Sequence, residues 1–339
     1  MLQKNKLSKR KSPYELPKRE GRPGRLKPHA SSRITRRITV LSVGISIVLI
    51  AMKLIVYHES GSAGILSSLV HSSLDLIAAF SSFLAVRYAA RAPDSLYRFG
   101  RGKAEGFSAI LQVCLIVLAA VHLLETTVHK FEHPQMLEHG GYAIAVMVLA
   151  TILTTGLLIA QTWAIKATGS LAVRGDRAHY IADMSANIAV IIGLSLTTYT
   201  SFLRADALVS IGISLWLLYT AFKVARFAWA QLMDRELPQK ERELIRSLAL
   251  SDKRINGVHD LRTRAAGPHV HIQMQLDLDD HLSLSEAHSI VVTAENRMMQ
   301  SYPAADILIH PHPNSCHHKH GNAIFRQDYT DKTKGGEKY

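Results

Sequence analysis

The sequence predicts an α-helical membrane protein, with six transmembrane helices followed by a small α+β domain outside the membrane. Three observations predict it. Six stretches are apolar over the roughly 20 residues that a helix needs to cross a bilayer. Lys and Arg, which give the 339-residue chain a formal net charge of +13, gather in alternate loops. Beyond Trp229 the long apolar runs stop, and period-two alternation takes over.

Residues 1–33 read as a basic, disordered cytoplasmic tail with several prolines and glycines. No apolar h-region follows within signal-peptide distance, so no cleaved signal is expected. An apolar span follows directly, which favours a tail held near anionic lipid over a nucleic-acid arm.

The transmembrane domain is expected over 34–232. Its spans run about Ile38–Tyr57, Ile65–Tyr88, Phe107–Val128, Tyr142–Trp163, His179–Thr200 and Ala205–Trp229. Each must be helical, because lipid offers backbone groups no partner. The tail, the link "RYAARAPDSLYRFGRGK" and the link holding Lys166, Arg174 and Arg177 are rich in positive charge. The loops "HESGSAG", "HKFEHPQMLEHGG" and "SFLRAD" are poor in it. Positive loops stay inside, which puts both termini in the cytoplasm.

A cytoplasmic domain is expected over 233–313. "MDRELPQKERELIRSLAL" reads as a helix leaving the membrane. In the strand that follows, Val270, Ile272, Met274, Leu276 and Leu278 share one face. His269, His271, Gln273, Gln275 and Asp277 share the other. "SLSEAHSIVVTAENRMMQSY" opens with a capping box, Ser283 to Glu286, and continues as a helix. "ADILIHPHP" closes as a strand. So few residues bury a thin core, which favours dimerisation. Residues 314–339 read as a polar, disordered, His-containing tail.

Ionisable residues inside a span are costly and mark function. Here they form a pattern. His71 and Asp75 sit four apart in the second span, and His179 and Asp183 four apart in the fifth. Each pair shares one helix face. Two such helices together offer four N/O ligands, a set that suits tetrahedral Zn²⁺. A single buried His or Asp is most often a packing residue; two matched pairs are harder to dismiss. Metal binding needs neutral imidazole and ionised carboxylate, so it expels protons and can couple metal export to proton entry.

Other classes fit less well. There is no HExxH, nucleophile elbow or Walker loop, so neither an enzyme nor an ATP-driven pump is expected. A channel uses weak, multiple sites. Two cysteines allow neither a disulfide framework nor a Cys-based zinc motif.

The paired His/Asp spans, "FGRGKAE", "RADA" and "VHDLRTR…GP…AH…IHPHP" together resemble the cation diffusion facilitator family, and within it the bacterial ferrous-iron and zinc efflux pumps. The resemblance covers about residues 34–313. It implies a homodimeric metal/proton antiporter of the inner membrane, working by alternating access, with a ferredoxin-like α-β-β-α-β cytoplasmic domain that binds further metal. The transport site maps onto His71, Asp75, His179 and Asp183. The nearest branch usually has Asp at the first position. His71 adds a nitrogen ligand and removes a charge, which tilts preference toward Zn²⁺, with Cd²⁺, Fe²⁺ and Co²⁺ as further cargo. A Mn²⁺/Fe²⁺-preferring exporter of the same family, or a membrane metal sensor, is the alternative.

A second family site, in the loop before the third span, keeps Asp94 but has Tyr97 and Arg101 where histidines are usual, so it is expected to be lost. Lys103 and Asp234 match a charge pair at the dimer. The cytoplasmic metal cluster maps onto His259, Gln275, His288, His310 and His312. Gln275 stands for a usual His and His312 for a usual Asp, which favours one structural zinc over two. His271, on the same strand face, is a substitute ligand or a solvated histidine. His129, Glu132, His133, Glu138 and His139 in the outer loop, His122 and Glu125, and "CHHKH" (Cys316–His320) read as solvated side chains or weak metal ligands.

Overall fold

A computed structural model describes residues 23–60, 63–132, 141–200 and 205–315. Six long helices come first: α1 (Pro28–Ser60), α2 (Ala63–Ala89), α3 (Ala104–Glu132), α4 (Gly141–Thr168), α5 (Leu171–Thr200) and α6 (Ala205–Leu232). Then follow α7 (Gln239–Ala249), β1 (Gly257–Ala266), β2 (His269–Leu278), α8 (Leu284–Ser301) and β3 (Ala305–Pro313), in the expected order.

Five of the long helices are apolar enough, over their described residues, to cross a membrane. The sixth, α5, is 30 residues long, and most side chains of its second half lie outside the described set. The helices overrun the expected spans. α5 begins at Leu171, eight residues before His179, because its exposed backbone amides find a partner that hydropathy cannot reveal. The buried Glu105 carboxylate of α3 accepts from Ser170 Oγ at 2.6 Å and from the Leu171 amide at 2.9 Å.

Small side chains let the helices pack closely. Ala109 and Ala120 of α3, Ala178 and Ala182 of α5, and Ala221 and Ala228 of α6 form one core with Ile116 and Leu217. Tyr180 packs on Leu157 and Leu158 of α4. Large side chains such as Ile47, Phe80, Ile159, Phe222 and Trp229 face outward, as lipid contact requires. Gln112 of α3 donates to the Ala78 carbonyl at 2.8 Å and to Ser82 Oγ at 3.1 Å, fixing α2 against α3.

In the small domain β2 is central, antiparallel to β1 and parallel to β3. The face expected to be apolar is buried: Val270, Ile272, Met274, Leu276 and Leu278 pack with Ile245, Leu248, Ile290, Met298 and Tyr302 of α7, α8 and the turn before β3. The capping box of α8 forms in both directions between Ser283 and Glu286. A bulge between His259 and Arg262 interrupts β1, with Asp260 at φ +47°.

The basic tail differs from its expected extent. Gly24 exchanges backbone hydrogen bonds with Pro268 and Ala304. Arg25 donates to Glu241 Oε2 at 2.8 Å, while its guanidinium stacks 4.2 Å from the Tyr302 ring centroid. The helix starts at Pro28, so only residues 1–22 lie outside the described set. At the other end, Asn314 and Ser315 bond to Leu278 and Asp280 before the described residues stop.

The two parts meet at the start of α3. A side chain on Gly102 would collide with the Ala266 carbonyl and stand 3.1 Å from the Gly267 amide. Gly267 has φ +59°, in the left-handed region. Lys103 Nζ and Arg264 Nη1 both bond Asp234 Oδ2, at 3.0 and 2.9 Å. The expected Lys103–Asp234 pair thus forms within one chain, with Arg264 as an unforeseen third member. Burial disfavours charge on Asp234, but the bonds from Lys103 and Arg264 outweigh it and hold the pKa below its usual value.

Two predictions follow from this junction. Gly102→Ala is expected to cost about 1–3 kcal/mol through overpacking. Thermal unfolding checks it, and an unchanged midpoint contradicts the contact. A depressed folded-state pKa stabilises above the unfolded value, near 4, and the gain is lost as pH falls through the folded value. Asp234→Asn should therefore flatten the acid limb of hydrogen exchange around residues 100–106 below about pH 4; an acid limb identical in both proteins contradicts it.

Candidate metal centre

The i, i+4 spacing turns each His/Asp pair to one side of its helix, and the packing of α2 on α5 brings the two sides together. The result is a four-sided ring in which acid and base alternate. His71 Nε2 lies 3.3 Å from Asp183 Oδ1, and His179 Nε2 lies 3.1 Å from Asp75 Oδ1. The pairs within one helix are longer, 3.9 Å for His71–Asp75 and 3.7 Å for His179–Asp183. Crossing from one helix to the other therefore gives the closer contacts.

Exposure is uneven around the ring. The side chains of His179 and Asp75 are 3% and 9% exposed, that of Asp183 15%, and that of His71 46%. His71 forms the open corner. Among the described residues, His71, Asp75 and Asp183 make the one group of three ligand atoms that all lie within 4.8 Å of one another. His179 completes the ring from its buried side without joining that mutual set. Its Nδ1 and the Asp183 Oδ2 have no hydrogen-bond partner. A cation between the four groups would take up the Asp183 Oδ2 and meet His179 through Nε2, the nitrogen turned toward both carboxylates.

Lys53 of α1 was missed in the sequence. Its Nζ donates to Ser72 Oγ, beside His71, at 2.6 Å, within the field of Asp75 and Asp183. The signal was present: it is a single lysine in the apolar run "LIAMKLIV".

Asp94 is fully engaged. It accepts from the Leu96 and Tyr97 amides and pairs with Arg101, whose guanidinium sits 4.2 Å from the Tyr97 ring centroid. The Arg101 side chain thus occupies this carboxylate, while Tyr97 reaches it only through its amide.

The cytoplasmic candidates separate into groups. His259 Nε2 lies 2.6 Å from Asp277 Oδ2, and His312 Nδ1 lies 3.8 Å from Asp277 Oδ1. Gln275 stands between His259 and His310 in the strand register, and the His310 and His312 rings are 6.5 Å apart. A Cβ on Gly257 would meet Asp277 Oδ2 and approach His259 Nε2 to 3.0 Å, so glycine keeps this corner open. Asp277 was read only as a polar strand position, yet it joins the two histidines. His288 is exposed on α8, and no described contact brings it to this group. His271 does not serve as a substitute. It lies four residues from Gln275, about 13 Å by strand rise. It is buried instead against Asp306, at 3.1 Å, and the Phe99 ring. His122 and Glu125 are exposed on α3. The side chains of His129, Glu132, His133, Glu138 and His139, and residues 316–320, lie outside the described set.

Residues 39–233 match the cation efflux transmembrane domain, and residues 237–314 match the cation efflux protein cytoplasmic domain. The cation-efflux pump FieF of Serratia proteamaculans is 36% identical over 284 residues, which is 84% of this chain and 94% of the relative. FieF of Klebsiella pneumoniae is 35% identical over 283 residues, with the same coverage. A solved chain of CzrB in a zinc form aligns with 25% of this chain and 99% of its own length at 31% identity, with a TM-score of 0.24. With both domains matched in order and along most of the chain, this protein belongs to the cation-efflux, or cation diffusion facilitator, family of multi-pass membrane transporters, and is not an enzyme.

Proposed function

We propose that this protein exports Zn²⁺, with Cd²⁺, Fe²⁺ and Co²⁺ as further cargo, from the cytoplasm in exchange for protons. The observation that carries the proposal is the ring of His71, Asp75, His179 and Asp183. Two imidazoles and two carboxylates neutralise a divalent ion, and they match the borderline character of zinc better than that of the harder Mn²⁺. The same four groups hold protons when the metal has left, which is what an exchanger requires. Export then proceeds by alternating access, as α2 and α5 carry the ring between one side of the membrane and the other.

The proposal includes a homodimer in the inner membrane with both termini cytoplasmic. The bonds of Gly24 and Arg25 to the small domain support a shared side for the N-terminal segment and that domain, in keeping with the positive loops. A zinc held by the small domain would draw on His259 and His312, which face the two oxygens of Asp277 beside an open Gly257, and would pull the two imidazoles closer than they stand. When bound it would tie β1 to the ends of β2 and β3, and so stiffen that edge of the sheet.

Flux in proteoliposomes tests the reading. The wild type is expected to move Zn²⁺ against a proton counterflow. Asp183→Ala should weaken metal binding by at least about 100-fold and abolish flux. His71→Asp should keep coupling while accepting Fe²⁺ and Mn²⁺ more readily. Zinc flux without proton movement in the wild type, or unchanged selectivity in His71→Asp, contradicts the reading.

A further inference from the structure

Asp176, three residues before His179 on α5, is a second buried carboxylate that the ring does not use. It is completely buried. Gln161 Nε2 of α4 donates to its Oδ2 at 2.8 Å and also to Ser42 Oγ of α1 at 3.2 Å. Its other oxygen, Oδ1, has no partner, and neither does Gln161 Oε1. A charged carboxylate in an apolar bundle, held by the Gln161 amide with the Ser42 hydroxyl beside it, is an expensive arrangement. A proton removes that expense. It converts a carboxylate oxygen into a donor, and a half-turn of the Gln161 amide offers a carbonyl to receive it. Gln161 can therefore serve both states of Asp176, donating to the ionised form and accepting from the protonated one.

Position adds to the chemistry. Asp176, His179 and Asp183 fall at i, i+3 and i+7, on one helix face. Asp176 lies about 4.5 Å along the axis from His179, toward the N-terminal end of α5. Arg174 and Arg177 flank it there, but each is directed elsewhere. Arg177 Nε donates to Thr162 Oγ1 of α4 at 2.8 Å, and the Arg174 guanidinium lies over Phe227 of α6. From α3, Glu105 is taken up by Ser170 and the first amides of α5. From α2, Asp75 faces His179. Tyr180 turns its hydroxyl to Ser46 of α1. The ionisable groups in whose field Asp176 chiefly lies are thus His179 and Asp183, both of the ring.

We propose that Asp176 holds the proton displaced when metal enters the ring, with Gln161 as its two-state partner, and passes it to the cytoplasmic end of α5. In this step an N–H bond of the ring breaks, leaving the nitrogen lone pair to the metal. An O–H bond forms on Asp176, and the same proton then leaves to water. No electron changes hands. The inference rests on the proton-exchange reading of the ring.

Zinc flux and proton movement in proteoliposomes, with zinc binding measured on the same preparations, test it. Asp176→Asn is isosteric and keeps an acceptor for Gln161. It is expected to leave zinc affinity within about twofold and to lower flux at saturating zinc by roughly tenfold or more, and the residual flux should lose its dependence on pH at the cytoplasmic face. Asp176→Glu should restore both. Wild-type flux and pH profile in Asp176→Asn overturn the proposal, as does a loss of affinity that matches the loss of flux. Gln161→Met is the second variant. It should move the pH midpoint of flux by about 0.5 unit or more at unchanged zinc affinity, and an unmoved midpoint counts against the proposal. Absence of proton movement in the wild type itself would instead remove the exchange reading.

Discussion

Two carboxylates buried side by side in an apolar helix bundle need positive charge between them. That constraint organises the protein. Asp75 and Asp183 stand on different helices, and each faces an imidazole from the opposite helix more closely than the one on its own. Protons on the histidines or a divalent ion in the middle can supply the charge, but both together would overcharge the site. On the proposed exchange reading, competition between proton and metal follows from the ring itself, not from an added device. Lys53, set beside Ser72, brings a further basic group near the ring's open side.

The surrounding bundle keeps the four groups within reach of one another. Ala178 and Ala182, which flank His179 on α5, let that helix lie against α3 and α6. Gln112 fixes α2 against α3 near Ala78, one turn beyond Asp75. Glu105 holds the first turn of α5 from α3, two residues after Lys103 reaches Asp234 and three after Gly102 meets Ala266. One short segment of α3 and its approach thus contacts the helix that carries half of the ring and the strand hairpin of the small domain. Arg25 makes a second tie, joining the chain ahead of α1 to Glu241 and Tyr302.

Much of this was legible in the sequence, and the exceptions have physical causes. Hydropathy finds a helix where lipid demands one, but not the turns that extend it into water, so α5 began earlier than expected. The ring was legible because its spacing is a helix property and its residue types are costly in lipid. Asp176 and Glu105 carry the same cost, but they lie beside the charged links before the fifth and third spans, where a carboxylate looks solvated until the fold shows what encloses it. Asp277 was hidden in an alternating strand, where polar residues are ordinary. Only the pairing of β1 with β2, and of β2 with β3, places His259 and His312 on either side of it. The same pairing puts His271 opposite Asp306 and removes it from the set. The family resemblance pointed to the two helices whose His/Asp pairs the structure brings together, while the departures at His71, Gln275 and Arg101 had to be read as chemistry.

Calorimetry of zinc binding to the full-length protein, repeated in buffers of different ionisation enthalpy, tests the central claim most directly when wild type is compared with Asp75→Asn. This variant keeps the size of the side chain and removes one charge from the ring. The account predicts one fewer zinc per chain and the loss of the protons released with it. Equal zinc stoichiometry and equal proton release in the two proteins would contradict it.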